Sequence, residues 1–219
     1  LVTGNPALLK KTNVALVKPE EVQAFELGYR SQIKEVSVDL NGYYNVYNNF
    51  IGNTTAIATY YGKAQDAPNP AGGAADLGAQ SLHALQNSNF RAYQLYTNTA
   101  LEIHSLGIGV GLSKRMLGAY DFGISYNYAQ FDFDQAKDPG FEAGFNTPKH
   151  RVKASVGNDS LFQNFGFNAS VRWNSEYLWE STMADGMIES ATVVDAQINY
   201  ELPKLKSVIK LGATNIAGK

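Results

Sequence analysis

The sequence predicts an all-β chain, an antiparallel up-and-down transmembrane β-barrel wall of about eight strands. Three observations carry that expectation. Eight segments alternate apolar and polar residues with period two, and several are 11 to 16 residues long, against about five or six in ordinary globular strands. The connections between them alternate between about two to five residues and about ten to forty, as in barrels with short periplasmic turns and long extracellular loops. Aromatic residues gather at strand ends beside the long connections, where an amphipathic ring suits the boundary between lipid tails and headgroups.

The first segment, residues 21–31, puts Phe25, Leu27 and Tyr29 on one face and Glu26, Gly28 and Arg30 on the other. The second, 35–50, sets Val36, Val38, Leu40, Tyr44 and Val46 against Ser37, Asp39, Asn41 and Asn45. With Gln32-Ile33-Lys34 between them, the two read as a hairpin. Residues 52–89 read as loop around Ala67-Pro68-Asn69-Pro70-Ala71-Gly72-Gly73, with a short helix expected near 74–85. The third segment, 90–112, ends with Leu106, Ile108, Val110 and Leu112 opposing Gly107, Gly109 and Gly111, and residues 113–116 read as a turn. The fourth, 117–134, sets Tyr120, Phe122, Ile124, Tyr126 and Tyr128 against Asp121, Gly123, Ser125 and Asn127. Its phase slips at Phe131 and Phe133, where a bulge is expected.

Residues 135–147 read as loop. The fifth segment, 150–161, sets Val152, Ala154 and Val156 against Arg151, Lys153 and Ser155, and turns at Gln163-Asn164 into the sixth, 165–179. There Phe167, Ala169, Val171, Trp173, Tyr177 and Trp179 alternate with Asn168, Ser170, Arg172, Asn174 and Glu176. The seventh, 191–202, sets Val194, Ala196, Ile198 and Tyr200 against Asp195, Gln197, Asn199 and Glu201, and a turn at Pro203-Lys204-Leu205-Lys206 leads to the eighth, 208–216.

Composition narrows the function classes. Net charge is −2, so no basic surface argues for a nucleic-acid partner. Charged residues are 17% and mean hydropathy is −0.24; a barrel that alternates lipid-facing and lumen-facing residues keeps its average modest. No apolar run approaches the roughly 18 residues of a membrane helix. The absence of cysteine removes disulfides and thiolate metal sites. The N-terminal Leu1-Val2-Thr3-Gly4-Asn5 carries no signal-peptide pattern.

The chemistry-bearing residues are sparse. His83, His104 and His150 have no metal-ligand spacing, and no metal or other cofactor is expected. His104 and Ser105 are adjacent in a strand and point to opposite faces, so no catalytic pair forms and no enzymatic activity is expected. Asp132, Asp134 and Asp138 lack the dense spacing of a calcium loop and read as a solvated acidic loop. Gly107, Gly109 and Gly111 read as small residues on one sheet face rather than a phosphate loop.

With the apolar face toward lipid, Glu26, Arg30, Asp39, Lys153, Arg172, Glu176, Asp195 and Glu201 face the lumen. They form either a hydrated, salt-bridged wall or a set of ligand contacts. Tyr60, Tyr61 and Trp179, at the base of the long connections, are candidates for stacking on a ligand or for anchoring at the membrane interface. Arg172 and Glu176 are polar ligand-contact candidates.

Pro19-Glu20-Glu21-Val22-Gln23-Ala24-Phe25-Glu26-Leu27-Gly28-Tyr29-Arg30 resembles the segment that opens the C-terminal half of TonB-dependent receptor barrels. The return strand from Leu40 to Ile51 resembles the family's aromatic strand. Asn146-Thr147-Pro148-Lys149-His150-Arg151 is similar to its "t-P-x-H-r", and Leu211-Gly212-Ala213-Thr214-Asn215-Ile216 to its penultimate strand. Residues 98–110 hold the place of the family's "G-v-E" strand, but no acidic residue follows Gly107 or Gly109. The ending and loop style resemble receptors of Bacteroidota, including the SusC-like branch.

The resemblance implies a barrel of about 22 strands, of which these would be roughly strands 14 to 21, with the plug domain and last strand lying outside the 219 residues. It implies import of a scarce nutrient (glycan, peptide, iron chelate or cobalamin) across the bacterial outer membrane. The implied partners are the lipid bilayer, TonB acting through the missing N-terminal part, and a surface lipoprotein lid. The rival readings are a small structural or passive outer-membrane barrel and a soluble ligand-binding barrel.

Overall fold

The computed structural model describes residues 15–60, 84–138, 141–181 and 184–218. Its frame is one antiparallel eight-stranded sheet in the order β1-β2-β5-β6-β7-β8-β11-β12. These strands are β1 (Glu21–Ile33), β2 (Val36–Asn48), β5 (Ile103–Met116), β6 (Tyr120–Asp132), β7 (His150–Phe162), β8 (Phe165–Asn174), β11 (Ala191–Leu202) and β12 (Ser207–Ala213). Each pairs with the next along the chain. The predicted up-and-down order is therefore observed over all eight strands.

The turns explain the register. Ile33 pairs with Val36 around Lys34, which takes φ 56°, so the first turn falls one residue later than the pattern suggests. Gln163 and Asn164 both have positive φ between the paired Phe162 and Phe165, the backbone that a two-residue hairpin with native twist requires. Residues 113–116, expected to turn, continue β5 instead. Lys114 lies 3.6 Å from Glu35 and Arg115 lies 3.8 Å from Asp121 across the neighbouring strands. The chain reverses at Leu117 and Gly118, with φ 50° and 80°.

Two small hairpins interrupt the long connections. Segment 90–112 divides into β4 (Phe90–Asn98) and β5, and β4 pairs with β3 (Ile51–Thr59), which the sequence reading leaves as loop. Segment 165–179 likewise divides into β8 and β9 (Tyr177–Trp179), and β9 pairs with β10 (Gly186–Ile188). Alternation does not reveal the second break, because Tyr177 and Trp179 resume the phase of Trp173; at the first, the apolar parity changes from Leu101 and Ile103 to Leu106 and Ile108, which marks the buried core but not a strand end. The expected helix near 74–85 falls mostly outside the described residues; residues 84–86 are helical.

The sheet is a single layer with two unlike faces. Leu27 is 82% exposed and Leu211 69%, so none of the described residues covers the apolar side there. The packed core lies instead at the long-connection end, where Leu101, Ile103 and Phe141 are buried. Around them pack Tyr47, Phe50, Phe131, Phe133, Ala143 and Phe145. The Phe131 and Phe145 rings stack with centroids 3.8 Å apart.

This core corrects the expected bulge at Phe131 and Phe133. The β5–β6 ladder runs unbroken through Ser105 opposite Phe131 and His104 opposite Asp132. Phe133 lies beyond the strand end and turns into the core. The phase slip records a change of environment, from membrane face to loop core. The real register shift is in β7, between Asn158 and Phe162.

Candidate functional site

The polar face and the long-connection end above it form the candidate site. Pairing sets the face row by row. Glu26 lies beside Tyr43 and Gly107, then Gly28 beside Asn41 and Gly109, then Arg30 beside Asp39 and Gly111. The row continues across Ser125, Lys153 and Arg172. The residues expected to line the lumen on strands β1 to β8 thus share one face.

Two of the three β5 glycines, Gly107 and Gly109, have a steric reason. A Cβ on Gly107 would fall inside the ring of Tyr43, and one on Gly109 would sit 2.5 Å from the Asn41 side chain. The β2 side chains therefore lie flat across β5. This bears out the reading of Gly107, Gly109 and Gly111 as a small-residue strip.

Two ion pairs join the predicted residues. Arg30 Nη2 stands 2.5 Å from Asp39 Oδ2, and Arg172 Nη2 stands 2.9 Å from Asp195 Oδ2. Asp195 also accepts from the backbone N–H of Asn215 at 3.0 Å. Lys153 lies directly opposite Arg172. Glu176 is exposed between β8 and β9, and Glu201 is exposed near the far end of β11 beside Val208.

The stacking candidates are dispersed. Tyr60 ends the β3–β4 hairpin, with the Arg91 guanidinium 6.0 Å from its ring centroid. The hydroxyls of Tyr60 and Tyr93 push that guanidinium above its ordinary range. Trp179 is exposed on β9. Tyr61 lies outside the described residues.

Alternation alone does not reveal the ties between the connections. Asn146 donates from Nδ2 to the Glu180 carbonyl at 3.1 Å, and its Oδ1 accepts from the Glu180 N–H at 2.8 Å. Asn53 bridges Glu142, and Thr99 donates to Asp138 at 2.7 Å. Asn98 clamps the approach to β1, accepting from the Lys18 N–H at 2.6 Å and donating to the Lys18 carbonyl at 3.0 Å. Three long connections are therefore held to one another by specific hydrogen bonds. The sequence signal, in hindsight, is Asn and Thr beside aromatics within supposed loops.

The aromatic clusters also divide. Tyr44, Tyr126, Tyr128 and Trp173 lie on the apolar face; Tyr43, Tyr47 and Phe131 lie on the polar one. Only the first set is placed to meet a lipid interface.

A one-layer sheet with an unpartnered apolar face, all its long connections at one end and a Gly-lined polar wall is the build of an outer-membrane barrel. The sequence profile described as "TonB dependent receptor-like, beta-barrel" matches residues 1–216. The chain belongs to the TonB-dependent receptor β-barrel family.

It is accordingly an outer-membrane protein. Solved structures agree in fold. The copper transporter OprC superposes with TM-score 0.62 at 13% identity, over 92% of this chain and 26% of its own. The FrpB iron transporter of Neisseria meningitidis gives 0.62 at 13%, over 94% and 28%. The ferric-catecholate import receptor Fiu of E. coli K12 gives 0.56 at 12%, over 99% and 27%. The chain spans about a quarter of the length of each. Comparison with curated proteins finds no match.

Proposed function

We propose that this chain supplies part of the wall and outer connections of a receptor that imports a scarce nutrient by TonB-coupled active transport. The observation that carries the reading is the two-faced sheet of a family member with interlocked long connections at one end. The apolar face meets lipid. The polar face, with Glu26, Arg30, Asp39, Lys153, Arg172, Asp195 and Glu201, lines the lumen. The connections face the cell exterior, where Tyr60, Glu176 and Trp179 meet the ligand.

The plug and the TonB-contacting segment belong to the remainder of a longer polypeptide. Relatives in the family carry copper or iron; a glycan or peptide cargo and a surface lipoprotein lid follow from the resemblance to the SusC-like branch.

The test is growth of a deletion strain, with and without the complementing gene. Single limiting nutrients are supplied in turn: copper, ferric chelates, cobalamin, a glycan and a peptide. One of them should require both this gene and TonB. If the gene restores growth on none, or does so equally without TonB, import by this mechanism is refuted. The mature polypeptide should run at about three to four times 23.9 kDa, given the share of each solved receptor that the chain spans. A band near 23.9 kDa would favour a small passive barrel.

A further inference from the structure

We infer that Arg151, Lys153 and Arg172 form a binding patch for a small oxyanionic ligand, one bearing carboxylate or phosphate groups, on the polar wall near the outer connections. All three lie on the same face of two adjacent strands. Lys153 is paired directly with Arg172, and Arg151 stands one row nearer the long-connection end, between Asn127 and Asn174. Like charges directly opposite one another across a ladder are destabilising, so their neighbours need to supply a counter-charge.

The neighbours do so only in part. Asp195 pairs with Arg172, which leaves two positive charges. Among the described residues no carboxylate lies within 4.0 Å of Arg151 or Lys153, and both are exposed; Asp195, already bonded to Arg172, is the carboxylate whose charge also reaches Lys153, so one anion serves two cations. Beside the cations these rows carry Ser125, Asn127 and Asn174; farther along them stand Gly111 and Gly109 on β5, Val193 and Ala191 on β11, and Asp39, whose carboxylate is already held by Arg30.

The shape suits a small molecule. Lys153, alone of the three cations, borders a groove of about 360 Å³ lined by Gly111, Gly123, Ser125 and Ser155, with the Arg30–Asp39 pair on its far side; Arg151 and Arg172 stand beside it on the same face. Small-molecule sites begin at about 300 Å³. A charge-assisted hydrogen bond from a guanidinium is about twice as strong as a neutral one and fits an oxyanion in two-pronged geometry. The patch stands where an anion entering past the outer connections meets the wall.

The proposal deepens the import reading, because it assumes that the polar face lines a lumen. The two fail separately: the growth and TonB tests above judge import, and the following measurement judges the patch. The full-length receptor is purified from outer membranes in detergent. Its thermal unfolding midpoint is followed against citrate and against pyrophosphate, with chloride at matched ionic strength as control. At least one oxyanion should raise the midpoint in a saturable way, as a ligand of the native state must.

The double variant Arg151→Gln/Lys153→Gln, which leaves the Arg172–Asp195 pair in place, should lose that rise, with a midpoint in chloride no lower than the wild type's because a like-charge pair is relieved. Lys153→Arg should retain the rise. No response of the wild type to either anion overturns the proposal, as does an undiminished response of the double variant. A fall of the double variant's midpoint in chloride also overturns it, because carboxylates of the same polypeptide would then be the partners.

Discussion

Tyr44 and His104 stack on the apolar face of the sheet, with ring centroids 5.8 Å apart and the phenol oxygen 2.7 Å from Nδ1. Tyr126 and His150 repeat the arrangement on β6 and β7, at 6.1 Å and 2.8 Å. In the first pair Nε2 lies 3.1 Å from a Glu102 carboxylate oxygen, so both ring nitrogens have a polar partner. Both pairs sit near the long-connection end, and each tethers a polar ring at the edge of an apolar surface. Tyr44→Phe should lower stability by about 0.5–1.5 kcal/mol, the worth of one hydrogen bond. His104→Phe in the same background should add little more, measured by denaturant unfolding in lipid vesicles. Additive losses would mean that the two rings act independently.

Leu27 tests which face meets lipid. It lies midway along β1 and is 82% exposed. Leu27→Arg should cost about 2–4 kcal/mol if the residue lies near the bilayer midplane. Glu26→Gln, on the other face, should cost far less. Vesicle unfolding of the full-length receptor reads both, and equal effects would contradict the assignment of faces.

Gly107 tests the strip beneath Tyr43. Gly107→Val should cost about 1–3 kcal/mol as an overpacked position, because its side chain would occupy the space of the Tyr43 ring. Tyr43→Ala combined with it should recover part of the loss. A tolerated valine would mean that the ring does not lie across β5.

The Asn146–Glu180 tie predicts a local effect. Asn146→Ala removes both side-chain hydrogen bonds to the Glu180 backbone, about 0.5–1.5 kcal/mol each. Limited proteolysis of the outer connections should accelerate by roughly tenfold per 1.4 kcal/mol if opening precedes cleavage, while the unfolding midpoint of the sheet stays unchanged. Unaltered cleavage would show that the connections are held elsewhere.

Phe141 tests the packed core above the sheet. It is 6% exposed and meets Phe50 and Phe133 edge-on at 6.0 and 5.9 Å. Phe141→Ala should cost about 3–5 kcal/mol of local stability. The β3–β4 hairpin should then exchange its amide hydrogens faster, with the central β5–β6 amides unaffected. Equal exchange in the variant would show that the hairpin stands without this core.

The eight membrane strands were legible because a lipid–lumen sheet imposes a strict period of two. Leu106, Ile108, Val110 and Leu112 against three glycines leave no other phase. The residues on the polar face followed from the same parity, and Arg151 was available by that rule though it was not among the ligand candidates. The strand break at residues 175–176 was not legible, because alternation survives it from Trp173 to Tyr177 and Trp179; at residues 99–102 the apolar parity changes, from Leu101 and Ile103 to Leu106 and Ile108, but a change of parity does not by itself end a strand.

By itself the sequence determined the strand order, the two faces and the side on which the long connections lie. Those follow from local periodicity and turn chemistry, which act between near neighbours. Only the tertiary structure decided which aromatics meet lipid and which pack a loop core, and that Asn146 holds Glu180. It also set Lys153 against Arg172. Such relationships depend on which residues register opposite each other across strands and loops far apart in the chain, and no period along a single strand encodes them.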